Sequence, residues 1–357
     1  MKLKKRGHFL KPFFRSGRFY NNIQEQNLVS HQSYLKTIMY LFDSVIKEFM
    51  LFVRTARTGQ IKLPKNSADW IAINTLTHQS EEPIITWIGH STFLIQINKK
   101  NILTDPIFGS PTLLFPRILP PGIAPADLPK IDFVIISHNH LDHMDNSSLT
   151  FLKKINPDIK ILVPEGDQHW FAKREFKNIY NHVWWQKNSL NGIDFTFLPA
   201  LHWSQRNLFD RNRSLWGSWM IQANGHSIYF AGDTAYSHHF KAIAKEFTNI
   251  NVALMPIGPC EPRKYMYDTH VNAEEAGQAF LDLNAKQFIP MHWGTFHFGT
   301  DAFETPIKRI QRWWKRNRAE LHNKFLLIPK FGQSLVINNI SLNQNVIKKS
   351  AISQSSY

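Results

Sequence analysis

Cysteine is almost absent from this sequence: Cys260 stands alone among 357 residues. A single thiol excludes an intramolecular disulfide and any thiolate-rich metal site, and it fits a reducing compartment. Acidic residues are also scarce, 27 Asp and Glu against 42 Lys and Arg, for a formal net charge of +15. An excess of that size points to an anionic counterpart: nucleic acid, an anionic membrane surface or an anionic substrate. Long apolar runs are missing as well. The most apolar early stretch, Leu35 to Val53, is broken by Lys36, Asp43, Lys47 and Glu48, too many charges for a bilayer-crossing helix. It starts far from Met1 and lacks the small-residue cleavage pattern of a secretory signal. The expectation is therefore a cytoplasmic chain, attached to a membrane peripherally if at all.

What is present can build a sizeable core, since 43% of residues are hydrophobic and only 19% charged. The basic residues are clustered. Lys2, Lys4, Lys5, Arg6, Lys11, Arg15 and Arg18 meet no acidic residue in the first twenty positions, and Lys308, Arg309, Arg312, Lys315, Arg316 and Arg318 surround Trp313 and Trp314. Either cluster alone reads as a solvated surface. Two with interleaved aromatics point to an anionic interface.

Residues 1–81 read as an extension, a loosely ordered basic arm followed by a helix over 33–54. Its apolar face of Leu35, Ile38, Met39, Phe42, Ile46, Phe49, Met50 and Val53 has helical spacing. That face suits packing on the main domain or contact with a membrane surface. From about residue 82 to 340 the texture is that of one α/β domain. Strand patterns fall at Ile84–Ile88, Phe93–Ile97, Phe133–Ser137, Phe195–Leu198, Ser218–Gln222, Ile228–Ala231, Val252–Pro256, Gln287–Met291 and Ser334–Ile337. A helix is predicted after Asn272, with Glu275 placed for a capping box, and another from Thr305 with Pro306 in its first turn. Between Asp105 and Pro129 runs an irregular apolar loop suited to a substrate wall or a packed structural loop. Residues 341–357 form a polar tail.

The chemistry concentrates where the apolar run Phe133-Val134-Ile135-Ile136-Ser137 meets His138-Asn139-His140-Leu141-Asp142-His143. Imidazole and carboxylate are the usual ligands of zinc and related divalent ions. Crowded histidines without a metal would repel one another once protonated, so this density is poorly explained as a structural core. His202, Asp233 and His292 each follow a separate apolar run, in that order.

The HxHxDH pattern with these three distant residues resembles the metallo-β-lactamase superfamily. The resemblance implies an αββα four-layer sandwich, here with an N-terminal helical extension, and a site for two Zn2+ or similar ions. His138, His140 and His202 would hold one ion, and Asp142, His143 and His292 the other, with Asp233 bridging. The di-iron redox version of this fold typically has a glutamate where His140 stands, so the resemblance implies hydrolysis through a metal-bridging hydroxide. Within the superfamily, Trp87-Ile88-Gly89-His90-Ser91-Thr92, Leu103-Thr104-Asp105-Pro106, Pro256-Ile257-Gly258-Pro259-Cys260-Glu261-Pro262-Arg263 and Met291-His292-Trp293-Gly294-Thr295-Phe296 resemble the N-acylphosphatidylethanolamine-hydrolysing phospholipase D family. That implies cleavage of N-acylphosphatidylethanolamine to phosphatidic acid and N-acylethanolamine. Asp142, Asp233 and His270 are the implied catalytic residues, with His270 orienting phosphate or assisting the leaving group.

Two departures stand out: Thr269 replaces a polar amide, and Leu141 replaces an aromatic residue. Cys260 reads as a small buried residue and not a nucleophile. The implied partners are a phospholipid substrate and an anionic membrane surface, with a homodimer among the open oligomeric states. A metal-dependent lactonase or sugar-phosphate hydrolase of the same fold is the nearest alternative, but needs neither the apolar loop nor the basic arm. A ribonuclease-like enzyme suits the charge, yet no separate RNA-grasping insertion is evident, so nucleic acid is disfavoured. A membrane-binding module with a relic site is disfavoured by the intact set of seven donors.

Overall fold

The computed structural model describes residues 12–21, 67–72 and 81–337; the helix expected over 33–54 and the tail from 341 lie outside the described residues. Two seven-stranded sheets make up the fold. In spatial order the first is Ser334–Val336, Ile84–Gly89, Thr92–Ile97, Lys100–Thr104, Phe133–Ile135, Lys160–Pro164 and Asn178–His182. The second runs Phe325–Leu326, Gln287–Met291, Val252–Pro256, His226–Phe230, Ser218–Ala223, Ile193–Leu198 and Lys187–Leu190. All nine predicted strands are present within two residues at their ends.

Period-two alternation explains why the strand runs are continuously apolar: both faces of each sheet are covered. Phe133 and Ile135 belong to the large core shared by the sheets, whereas Val134 and Ile136 join a second cluster with Leu149, Leu152 and Phe171. Those last residues come from the helices Asn146–Ile155 and Gln168–Ala172. On the far side, Phe240, Ile243, Ala276, Phe280, Leu283, Ile307 and Ile310 pack onto the second sheet from the helices His239–Glu246, Ala273–Leu283 and Thr305–Arg316. The result is helix, sheet, sheet, helix, as the resemblance implied.

The two anticipated helix starts carry the anticipated signals. Asn272 and Glu275 form the reciprocal capping box, and Pro306 sits in the first turn of its helix, where a missing N–H costs nothing. The basic helix Thr305–Arg316 corrects one expectation. Trp314 packs on Phe280 and Phe288, at ring separations of 5.4 and 6.0 Å, and the Trp313 ring lies where a Cβ on Gly277 would sit. These aromatics are half-buried packing groups and not an interfacial pair. Arg309 is likewise engaged, with Glu261 at 2.9 Å and Glu274 at 2.8 Å.

Within the arm expected to be loosely ordered, the described residues 12–21 are regular. Phe13–Arg15 and Arg18–Tyr20 pair as a hairpin, and Ser16 and Gly17 both take positive φ at its turn. Such a turn matches the twist of the strands it joins.

Candidate metal centre

The motif loop is shaped before any donor is considered. Ser137 donates its backbone N–H to Asp105 Oδ1 at 2.7 Å and its hydroxyl to Oδ2 at 2.5 Å. His143 and Met144 both donate backbone N–H groups to His140 O, at 3.1 and 2.9 Å. This is the sharp turn that four donors within six residues require. Asp145 closes the loop by capping the following helix at Ser148 N, 2.8 Å away. Across the loop, Arg206 Nη1 donates to Asn139 O and Met144 O at 3.0 and 2.7 Å.

The distant residues arrive on the loops after Ile193–Leu198, His226–Phe230 and Gln287–Met291. Gly232 permits the approach of one of them: its φ is +59°, and a Cβ there would lie 2.5 Å from Ser137 Cβ. His292 has φ +60° and His90 φ +52°, a conformation costly for non-glycine residues that persists only where its surroundings hold it. Here they do. His292 donates its N–H to His90 O at 3.2 Å, and His90 donates its own to Thr295 Oγ1 at 2.6 Å.

Two poles of donor atoms result. At the first, His138, His140 and His202 present ring nitrogens within 4.8 Å of one another, with His140 Nδ1 2.8 Å from His138 Nε2 and 3.3 Å from His202 Nε2. Tetrahedral zinc with bonds of about 2.0–2.1 Å spaces its ligand atoms roughly 3.3 Å apart. At the second pole, Asp142, His143 and His292 gather on the same scale, together with His90. Asp233 lies between the poles. Its Oδ2 is 3.3 Å from His143 Nε2, 3.8 Å from His202 Nε2 and 3.9 Å from His138 Nε2, and its Oδ1 is 3.1 Å from His292 Nε2.

The outward ring nitrogens have partners that settle the tautomers. Nδ1–H of His143 donates to Asp105 Oδ2 at 2.7 Å, that of His202 to Thr269 O at 2.8 Å, and that of His292 to Gly258 O at 2.9 Å. Each Nε2 is thereby aimed inward. Inside the pocket, Nε2 of His143 and His292, Nδ1 of His270 and Oδ1 of Asp233 are buried without an aligned hydrogen bond, and His140 Nδ1 faces the Nε2 atoms of His138 and His202. Buried lone pairs facing one another are costly, and divalent cations between them would remove that cost. The donor set therefore fits metal.

Burial, with the neighbouring imidazoles, pushes the His138 pKa well below its ordinary value. Burial brings His140 and His202 down to about 3. All three are held as neutral imidazoles, so a metal bound there would displace no proton. At Asp233 and Asp142 burial works the other way, but the facing imidazoles, His143 foremost, hold both carboxyls well below the carboxylate range. His143 in turn is held well above its ordinary value, because Asp233 and Asp142 outweigh its own burial.

His270 is brought to the same pocket, its Nδ1 3.7 Å from Asp233 Oδ2. Arg263 holds its backbone, donating Nη1 to His270 O at 2.7 Å while Nη2 reaches Glu275. The side-chain change at Thr269 leaves the His202 contact intact, since the backbone carbonyl makes it. Cys260 is buried, and burial pushes its thiol up to about 12, a poor nucleophile. Two residues escaped the sequence reading as site residues. Asp105 orients both Ser137 and His143. His90 Nε2 lies 2.9 Å from Asp142 Oδ2. Each sits in a segment that carries the family resemblance, which was the available signal. Beside His90 and His292 opens a cavity walled by Ile118, Phe296, Phe298 and Phe303. The apolar loop thus serves as packing through Ile107, Phe108 and Leu119 and as a wall through Ile118.

Such a pocket, set at the strand ends between two sheets, defines a metal-dependent hydrolase. Residues 100–293 match the beta-lactamase superfamily domain, and the chain belongs to that superfamily. Among its relatives is N-acyl-phosphatidylethanolamine-hydrolyzing phospholipase D 1 of Caenorhabditis elegans, 33% identical over 245 residues, 63% of this chain and 68% of the relative. The mitochondrial N-acyl-phosphatidylethanolamine-hydrolyzing phospholipase D of Saccharomyces cerevisiae is 33% identical over 240 residues, 63% and 50% of the two chains. In fold the chain resembles the metallo hydrolase Igni18 of Ignicoccus hospitalis, with a TM-score of 0.56 and 20% identity over 72% of this chain and 98% of that one.

Proposed function

We propose that the chain is a binuclear zinc-dependent phosphodiesterase that hydrolyses N-acylphosphatidylethanolamine to phosphatidic acid and N-acylethanolamine. The observation that carries this reading is the placement of Asp233 between two poles of donors, in a chain one-third identical to two enzymes named for that reaction. His138, His140 and His202 would hold one ion and Asp142, His143 and His292 the other, with Asp233 shared. When bound, such a pair supplies a water activated near neutral pH and neutralises charge on the phosphoryl oxygens.

The protein's own groups do the rest. Second-pole alignment comes from Asp105 and His90, which hold His143 and Asp142. His270, brought down to about 3 by burial, is a neutral imidazole suited to hydrogen-bond a phosphoryl or leaving-group oxygen. Ile118, Phe296, Phe298 and Phe303 give the cavity an apolar side, beside His297 and Asp301, which suits the apolar part of a lipid near the site better than a sugar phosphate. In the overall step, water adds to phosphorus, the bond from phosphorus to the ethanolamine oxygen breaks, and that oxygen takes the proton.

The test is product analysis of zinc-loaded protein incubated with N-acylphosphatidylethanolamine, beside its Asp233→Asn variant. Release of phosphatidic acid and N-acylethanolamine, lost in the variant, is the expected outcome. An intact lipid alongside robust hydrolysis of a lactone or of RNA would sink the reading.

A further inference from the structure

The loop that follows His202 is built to display hydrophobic residues. Asp210 Oδ1 accepts the N–H groups of Arg206 and Asn207, both at 2.9 Å, and its Oδ2 accepts Asn207 Nδ2 at 2.6 Å. Asn212 donates its N–H to Ser204 O at 2.7 Å, closing the base. On this bonded turn Leu208 is 86% exposed and Phe209 78% exposed. Single exposed apolar residues are ordinary, but an adjacent pair at the tip of a hydrogen-bonded turn is not explained by folding.

The N-terminal hairpin lies against the same loop. Arg18 donates to the carbonyls of Phe209 and Arg211, and Phe19 N–H donates to Asn212 O at 2.7 Å. Phe14, 57% exposed, leans on the Phe19 ring at 4.7 Å. The exposed basic residues Arg15 and Arg213 flank these apolar groups. The nearby carboxylate of Asp210 is already occupied within the loop. The patch also connects to the metal centre. The Arg211 guanidinium stands 4.5 Å over the Trp203 ring, whose neighbour at 4.3 Å is His140.

We infer that the 206–213 loop and the 13–20 hairpin form a docking rim for a bilayer surface bearing anionic phospholipid headgroups. Leu208, Phe209 and Phe14 enter the boundary between headgroups and acyl chains, and the arginines meet phosphate. Exposed apolar groups in the same two turns as the exposed Arg15 and Arg213 favour that occupant over an uncharged partner. The inference rests on the phospholipid reading above, because a rim one aromatic ring away from His140 would deliver lipid to the pocket.

The experiment is co-sedimentation of the full chain with vesicles of phosphatidylcholine alone or mixed with phosphatidylglycerol. The wild type is expected to bind the mixed vesicles, to release them as salt rises, and to bind phosphatidylcholine weakly. Leu208→Ser with Phe209→Ser should lower partitioning about tenfold or more, and Arg15→Glu with Arg213→Glu should reduce binding to the level of phosphatidylcholine. Unchanged binding in the serine variant would overturn the inference. So would unchanged binding accompanied by a lower melting temperature or an altered oligomeric state, which would mean that the patch is covered by residues 22–66 or by a second copy. Binding is read without turnover. A chain that binds vesicles through this rim but leaves N-acylphosphatidylethanolamine intact would therefore remove the substrate reading alone.

Discussion

The two poles of the donor pocket are built from different materials. His138, His140 and His202 are uncharged imidazoles, anchored by a serine hydroxyl at His138 and a backbone carbonyl at His202. The opposite pole contains Asp142, and besides the Gly258 carbonyl behind His292 its supports are side chains in direct contact with its members: Asp105 behind His143, and His90 beside Asp142. The first pole is held by one backbone carbonyl and by a serine hydroxyl that Asp105 orients in turn. The second depends on a polar network whose members can be removed singly, so it should be the easier of the two to disable selectively.

Asp233 is the residue whose loss should erase that distinction. It faces both poles, so Asp233→Asn is expected to lower kcat/KM by about three orders of magnitude, roughly 4 kcal/mol, and to weaken metal retention at both poles. Steady-state kinetics with parallel metal analysis would check it, and a loss confined to one pole would break the comparison. Asp105→Asn should separate the poles. Removing the carboxylate that receives His143 Nδ1–H is expected to weaken the second metal about 10- to 100-fold and the first by less, because Asp105 touches His143 directly but reaches His138 only through Ser137. Competitive titration against a chelator would show it as two affinities shifted unequally. The smallest effect is expected at His90, where His90→Ala should weaken the second metal about tenfold. His90→Gln should recover part of that, because an amide N–H can still donate to Asp142. If His90→Gln is as impaired as His90→Ala, His90 acts as a ligand and not as a support for Asp142.

The same contrast explains what could be read from the sequence. The candidate donors of both poles were legible, because four stand in one dense motif and His202, Asp233 and His292 each follow an apolar run that became a strand; the supports behind them were not. The strands themselves were legible because both sheet faces are covered, which leaves continuous Val, Ile and Phe runs such as Phe133-Val134-Ile135. His90 and Asp105 were not legible as site residues, since each is the single titratable group in its segment. Only the fold brings His90 beside Asp142, 52 residues away, and Asp105 beside His143, 38 residues away. The basic helix misled for a related reason. Its charge pattern is local, but the partners that occupy Arg309, Glu261 and Glu274, lie 48 and 35 positions away. The hairpin at 13–20 did carry a local signal, Ser16-Gly17 between paired aromatics, which the basic composition of the arm obscured.

The most direct test of a two-pole centre is the metal stoichiometry of the folded chain. Stripped protein should be titrated with zinc and its bound metal counted against protein concentration. The account predicts saturation at two ions per chain, in two steps that Asp105→Asn separates further. Saturation at a single ion, or two ions retained with unchanged affinity by Asp233→Asn, would contradict it.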